Sequence, residues 1–207
     1  MFICLRSLLY CMRRQRFRHR PDGFHNGFDP DEQVVSVVSL NPVSTRVAEI
    51  AVREGFHVRL IDADEVAHHD LYGCSLFSEK DIGSYKAAAA KRSLKKIASS
   101  SVVKGFDTGL SEDSDYLLQG DLLLSFADDP SVNSVVADRG FELGVGTAAV
   151  VVSDGELHVC RPDREVPSGR DTVAVDPATA SVAAGLVVQR LGQWFANGVD
   201  EESVRTH

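Results

Sequence analysis

The sequence predicts an α/β domain built on a mostly parallel sheet, and three observations carry that expectation. An apolar, β-branched run, Gln33–Leu40 (QVVSVVSL), is followed by a helical pattern and then by a second apolar run, His57–Ile61 (HVRLI). Uninterrupted hydrophobic strands joined through a short helix are buried on both faces, which is the signature of a parallel βαβ unit. The alternation of strand and helix patterns then continues to the end of the chain, as expected for helices layered on a sheet. Finally, Gly146–Ser153 and Glu156–Cys160 flank Asp154-Gly155, which signals a β-hairpin near the C-terminal end.

Each element has a local cause. The first strand stops at Asn41-Pro42. Asparagine suits a helix N-cap, and proline suits the first helical position, where its missing N–H would have no partner anyway. A helix is therefore expected from about Val43 to Glu54, with Val43, Val47, Ile50 and Ala51 on one face and Gly55 closing it. The second strand ends at Asp62. Ser84–Ile97 (SYKAAAAKRSLKKI) has strong helical composition. Val102–Phe106 is expected as a short strand, Asp113–Leu118 as a brief helix, Asp121–Ala127 as a buried strand and Pro130–Leu143 as a helix. After the hairpin, Arg161–Asp176 reads as a polar loop and Ala178–Ala196 as a long closing helix. The expected organisation is a basic, disordered leader and linker over residues 1–32, one domain over 33–200, and a tail over 201–207.

Composition narrows the function. A chain of 207 residues with 43% hydrophobic and 25% charged residues suffices for one substantial core. The net charge of −8 is unevenly spread: residues 1–20 hold six of the 22 Lys and Arg and no acidic residue, so the rest carries 16 basic against 30 acidic groups. An acidic body repels phosphates, which argues against nucleic acid as the main partner. The four cysteines form no Cys-x-x-Cys, which argues against a zinc site or a disulfide framework and for a cytoplasmic setting. No segment is long and apolar enough to be read as a membrane span. The apolar stretch Phe2–Met12 precedes its arginine cluster, the reverse of a signal peptide, and Met12 is a possible alternative start. His68-His69-Asp70 has no further ligand nearby to complete a metal site, and no Gly-x-Ser-x-Gly turn supports a serine hydrolase.

Leu60–Ile97 (LIDADEVAHHDLYGCSLFSEKDIGSYKAAAAKRSLKKI) resembles the ThiF/HesA, ubiquitin-activating-enzyme-like adenylyltransferase family. That segment of the family runs from a strand through Asp-x-Asp, a valine and an Asn-Leu-x-Arg-Gln stretch to an Asp-Ile-Gly-x-x-Lys turn and an alanine-rich helix. Asp62, Asp64, Val66, Leu71, Leu76, Phe77, Asp81, Ile82, Gly83 and Lys86 fall into place, and Asp121–Asp129 (DLLLSFADD) sits where the family has a strand and Thr-Asp-Asn. The resemblance covers roughly residues 34–196 and implies a Rossmann-like three-layer domain ending in a β-hairpin and helix. It implies use of ATP and Mg²⁺ to adenylate the C-terminal glycine of a small ubiquitin-like or sulfur-carrier protein, in a homodimer. Carried over by position, Asp62 would hold the ribose hydroxyls, as a carboxylate does at the end of the second strand of dinucleotide folds. Lys86 would be the catalytic cation that stabilises phosphate charge, and Asp128 would hold Mg²⁺. Asp64, Asn41 and Arg46 complete the expected nucleotide-binding set.

The chain also departs from the family pattern. Ser39-Leu40-Asn41-Pro42-Val43-Ser44 stands where the family has Gly-x-Gly-Gly-x-Gly, and Asp70-Leu71-Tyr72-Gly73-Cys74 where it has Asn-Leu-x-Arg-Gln. The phosphate-contacting arginine is thus Gly73, the neutral amide is Asp70, and a later arginine is Asn133. The expected outcome is reduced or lost catalysis. The alternatives are a non-catalytic module that pairs with a carrier or an active paralogue, or a binder of a nucleotide lacking a triphosphate. Asp62, Asp64, Lys86, Asp128 and Asp129 also have purely structural readings as loop caps, a solvated lysine and helix caps.

Overall fold

The computed structural model describes residues 33–99, 101–153, 156–160, 162, 175–197 and 202–205. The expected leader, the Asp154-Gly155 turn and nearly all of the Arg161–Asp176 loop lie outside these residues. The elements are β1 (Val34–Val38), α1 (Pro42–Arg53), β2 (His57–Ile61), the one-turn α2 (Asp70–Gly73), α3 (Lys86–Ile97), β3 (Val103–Phe106), β4 (Leu122–Ser125), α4 (Pro130–Leu143), β5 (Gly146–Ser153), β6 (Glu156–Cys160), α5 (Pro177–Asn197) and β7 (Glu202–Arg205), with 3₁₀ turns at Glu79–Asp81 and Glu112–Leu117. The last of these turns replaces the expected helix at 113–118. Within the segment expected as a tail, β7 pairs with β6.

The seven strands among the described residues lie in the order β3-β2-β1-β4-β5-β6-β7. β1 to β5 run parallel, and β6 and β7 are antiparallel additions. The expected Rossmann-like α/β architecture with its C-terminal hairpin and helix is therefore present. Strand order reverses between β1 and β4, so the crevice at their C-terminal ends is the topological switch point, where open α/β sheets bind ligands.

The two faces of the sheet are covered unequally. α1, α3 and α5 bury the larger core, in which Phe56, Leu60, Leu94, Leu122, Leu124 and Leu191 are fully enclosed. Each such side chain contributes about 1.5–3 kcal/mol relative to exposure. Of the face predicted for α1, Val43, Val47 and Ala51 are buried and Ile50 packs at the margin. The opposite face carries a smaller cluster of Val38, Ile61, Leu117, Leu118, Leu123 and Val136 beneath α4 and the second 3₁₀ turn. Arg59 of β2 is buried there. Its Nε and Nη2 donate to the Leu117 carbonyl at 3.2 and 2.8 Å, and its guanidinium lies 4.6 Å from the Phe106 ring centroid. Burial lowers its pKa, and the contact clamps the 3₁₀ turn to the sheet.

Candidate functional site

The β1–α1 turn is where a phosphate would meet the switch-point crevice, because such sites are built from unpaired backbone N–H groups at a helix N-terminus. In this chain those groups are already bonded. Ser39 N–H donates to the Ile61 carbonyl at 3.0 Å and Leu40 N–H to Asp62 Oδ2 at 2.6 Å. Asn41 N–H donates to Ser44 Oγ at 2.7 Å. Val43 and Ser44 donate to Asn41 Oδ1 at 3.0 and 2.9 Å, Thr45 donates to the Asn41 carbonyl at 3.0 Å, and Pro42 has no N–H. Asn41 is the expected N-cap, and its side-chain oxygen occupies the position an anion would take. Its Nδ2 donates to the Phe126 carbonyl at 3.2 Å, which ties the end of β1 to the end of β4 across the crevice.

The first residue of the turn takes a backbone conformation that favours glycine. Ser39 has φ +67°, the one non-glycine residue with positive φ among the described residues. That conformation costs an L-residue roughly 1–2 kcal/mol. The geometry a glycine would adopt freely is therefore kept under strain, held by the Ser39 and Leu40 hydrogen bonds.

Asp62 is buried at the end of β2, and both carboxylate oxygens are engaged: Oδ2 by Leu40 N–H, and Oδ1 by Asp64 N–H at 2.7 Å. Burial pushes its pKa up, against the opposing pull of those two bonds and of Lys86. Its role as a loop cap, one of the readings open from sequence, is thus realised. The following loop folds back on itself. Gly83 takes φ +77°, open to glycine, and donates its N–H to the Val66 carbonyl at 2.9 Å. Asp81 accepts from Ser78 N–H and Oγ at 3.0 and 2.5 Å and from Arg92 at 3.2 Å. Burial would raise the Asp81 pKa, but the bonds from Ser78 and Arg92 outweigh it and hold the carboxyl below its usual range.

This loop delivers Lys86 to the first turn of α3, where it is buried rather than solvated. Its Nζ lies 3.1 Å from Asp70 Oδ1 and 3.9 Å from Asp64 Oδ2, with Lys86 and Asp70 side chains only 11% and 6% exposed against 77% for Asp64. Burial alone would lower the lysine pKa. The hydrogen bond and charge of Asp70, then the charges of Asp62 and Asp64, reverse that and hold it above the usual value. Asp70 Oδ2 also accepts from Ala67 N–H at 2.9 Å. Asp70 as the fixed counter-ion of Lys86 escaped the sequence reading, although its position in place of a neutral amide was the available signal.

The remaining expected residues are more scattered. Arg46 is half-buried, and its Nε is enclosed without a hydrogen-bond partner among the described residues. Its charge reaches Cys74, whose thiol is nevertheless pushed up to about 12, first by burial and then by Asp70. Asp128 is exposed at the end of β4, and its neighbour Asp129 caps α4 through Ser131 N–H at 2.8 Å. Asn133 is buried, accepting from Ser125 Oγ at 2.5 Å and donating to the Ala127 carbonyl at 3.2 Å. Gly73 packs on the α1 turn: a Cβ there would lie 2.7 Å from Pro42 Cγ. The crevice that remains, bounded by Asn41, Phe126, Asp128 and β5, measures about 70 Å³, against roughly 300–1,000 Å³ for ordinary ligand pockets. Among the described residues no group of three or more His, Cys, Asp or Glu is placed to hold a metal.

Known proteins match this geometry at the level of fold and family. The ThiF family model matches residues 45–195. No curated protein sequence matches. The solved structures that superpose include PaaA, with a TM-score of 0.68 at 16% identity over 84% of this chain and 59% of that one. They also include Escherichia coli MccB with ATP, with a TM-score of 0.69 at 17% identity over 86% of this chain and 64% of that one. A third is the microcin C7 biosynthetic enzyme MccB in complex with N-formylated MccA, with a TM-score of 0.68 at 16% identity over 86% and 65%. At such identities the likeness establishes the fold, and this chain spans less than two thirds of the length of those proteins. With the family pattern matched over most of its length, and Asp62, Asp64, Asp81, Gly83 and Lys86 in family order on a Rossmann-like sheet, the chain belongs to the ThiF family.

Proposed function

We infer that this chain is a ThiF-family module whose nucleotide chemistry is reduced or lost and which acts by binding a partner protein, either a small ubiquitin-like or sulfur-carrier protein or an active relative. The observation that carries this reading is the bonding of every N–H from Ser39 to Thr45 within the protein. A triphosphate would have to displace Asn41 from two helix N–H groups and from Phe126. It would also meet Asp70 already neutralising Lys86. These residues do not fit ATP. Asp128, exposed at the end of β4, is the carboxylate that would take part in holding Mg²⁺, an ion that one or two carboxylates bind together with substrate phosphates, and among the described residues no group of three or more His, Cys, Asp or Glu gathers there.

The adenylation reading keeps one supporting observation, the clustering of Asp62, Asp64 and Lys86 at the strand ends. MccB, structurally similar to this chain, has been solved with ATP and with the peptide MccA. A polypeptide partner therefore suits a module of this family. The proposal includes a homodimer, residues 33–200 together with β7 as the folded unit, residues 1–32 as a leader, and a cytoplasmic setting, which the buried thiol of Cys74 suits. No helix among the described residues is long and apolar enough to cross a membrane.

Titration calorimetry of the full chain with ATP and Mg²⁺ tests the reading. No heat of binding is expected at about 1 mM nucleotide, a threshold near 4 kcal/mol. Binding restored in the Asn41→Gly/Pro42→Gly variant would support the self-capped turn as the cause. Micromolar binding by the wild type that vanishes in Asp62→Ala would overturn the proposal.

A further inference from the structure

Positive charge collects on α3 and the strand beside it. From Ile82 to Phe106 the chain carries six Lys and Arg and no Asp or Glu, while residues 21–207 hold 16 basic against 30 acidic groups. Lys86 is buried against Asp70. The others, Lys91, Arg92, Lys95 and Lys96 of α3 and Lys104 of β3, are exposed. Residues four apart on a helix are neighbours at about 5–6 Å, so Lys91 and Lys95 form one row and Arg92 and Lys96 a second row beside it. Arg92 reaches Asp81 at 3.2 Å, and Lys95 Nζ donates to the Ser101 carbonyl at 2.8 Å. Among the described residues no ion pair holds Lys91, Lys96 or Lys104.

We propose that the outer face of α3 is a docking surface for an acidic helix of a partner protein, whose carboxylates at four-residue spacing match the two rows of cations. The inference rests on the partner-binding reading above and specifies where and with what chemistry a partner is held, at the β3 side of the sheet. A helix face that is merely solvated interleaves the two signs, because like charges four apart repel. Lys95 and Lys96 have a local cause, since cations in the last turn suit the helix dipole, but Lys91 sits mid-helix without it. Lys104 bears on the choice of partner. Val103 faces the larger core and Phe106 the smaller, so Lys104 lies on the Phe106 side, while a Cβ on Gly105 would lie 3.5 Å from Lys91 Cβ on the other. Lysines therefore border β3, the terminal strand, from both faces, which discourages strand addition and leaves the helix face as the contact.

Charge and extent together select the partner. Residues 1–20 carry six Arg and no acid, so the chain's own leader is repelled from the rows. An anionic membrane or a long nucleic acid would extend past them onto the acidic body, whereas a helix of two or three turns meets the cations alone. No large apolar residue of α3 is exposed, so the contact is polar and salt-sensitive, and it sets which partner approaches more than how tightly it is held.

The test uses the full chain and a fluorescein-labelled, alanine-based helical peptide with glutamate at four-residue spacing, beside the same peptide with lysine for glutamate, read by fluorescence anisotropy. Saturable binding of the glutamate peptide is expected, weakening with salt. Lys91→Glu/Lys96→Glu, exposed changes that leave the circular dichroism spectrum intact, should weaken it by roughly tenfold, and Lys91→Arg/Lys96→Arg should retain it. Arg13→Gln/Arg14→Gln/Arg16→Gln in the leader should leave the affinity unchanged. Absence of binding at about 1 mM peptide, equal affinity for the lysine peptide, loss of binding with the leader variant but not with the α3 variant, or tighter binding of single-stranded DNA or phosphatidylserine vesicles through the same lysines would each overturn the proposal. ATP binding in the separate calorimetry would overturn the functional reading, and its outcome is independent of these peptide results.

Discussion

Replacing Lys86 by methionine separates a structural lysine from a catalytic one. The Nζ–Oδ1 distance to Asp70 is 3.1 Å, which corresponds to about 5 kcal/mol of attraction at an effective dielectric constant near 20. Desolvation of two nearly buried groups offsets most of that, so the net worth of the intact pair is small. Removing one partner differs, because it leaves Asp70 charged and buried. Such losses run at about 3–5 kcal/mol. Asp70 keeps the Ala67 N–H on its other oxygen, with His69 Nε2 3.7 Å away, which favours the lower end, about 3 kcal/mol. For a chain of this size that corresponds to a fall in Tm of roughly 6–12 °C. Urea unfolding followed by circular dichroism, with an unchanged m-value, reads the difference. The Lys86→Met/Asp70→Leu double variant should return to within about 1 kcal/mol of wild type, closing a double-mutant cycle. The pH dependence has a definite sign. Because the folded-state pKa of Lys86 is raised, the stabilisation is fully present below the usual lysine value of about 10.4 and is lost as pH rises through the raised value. The gap between wild type and Lys86→Met should therefore stay constant from neutral pH to about 10 and close only above it. A cost under about 1 kcal/mol at pH 7 would refute the reasoning, since a lysine waiting for substrate leaves the fold largely intact when removed.

Two further outcomes follow from the same region. Ser39→Gly should stabilise the protein by about 0.5–1 kcal/mol, the relief of positive-φ strain less the extra entropy glycine loses on folding; a destabilisation in urea would mean that the turn is not strained. Cys74, with its thiol at about 12, should resist iodoacetamide at pH 8 in the native state and react once the chain is unfolded in urea, as peptide mapping would record. Native labelling at the unfolded rate would contradict its burial.

What was legible in the sequence follows from how local each signal is. Asp129-Pro130 and Asn41-Pro42 announced helix starts because the cap and the first residue of a helix are adjacent in the chain. α4 runs over Pro130–Leu143 as expected, and α1 starts at Pro42, one residue earlier than expected. The hairpin strands likewise match, since alternation and Asp-Gly act over a few residues. The one-turn α2, the 3₁₀ turn at Glu79–Asp81 and β7 were not read. Four residues or fewer hold no periodicity, and such elements exist through the tertiary contacts that fix them. The candidate site divides in the same way. Asp62, Asp64 and Lys86 were singled out through the family resemblance, and the fold brings them together. The pairing of Lys86 with Asp70, the link from Asn41 to Phe126 and the burial of Arg59 depend on approaches that only the folded chain creates.

The departures from the family pattern form one interlocked set rather than independent losses. Pro42 stands where the family has glycine and Gly73 where it has arginine, and each accommodates the other: a Cβ on residue 73 would lie 2.7 and 2.9 Å from the Pro42 ring. A side chain at 73 therefore requires the Pro42 ring or the turn that carries it to shift. Asn41 caps the first turn of α1 through two backbone N–H groups, and its amide ties the end of β4 to that turn. Asp70 supplies a buried negative charge opposite Lys86, which offsets the cost of burying that lysine. Changes that share partners in this way are non-additive. Restoring glycine at 42, arginine at 73 or asparagine at 70 singly would leave the crevice bridged by Asn41 or the lysine without its counter-ion. The geometry thus describes a turn in which the protein's own amide and carboxylate groups satisfy its backbone N–H groups and its buried lysine.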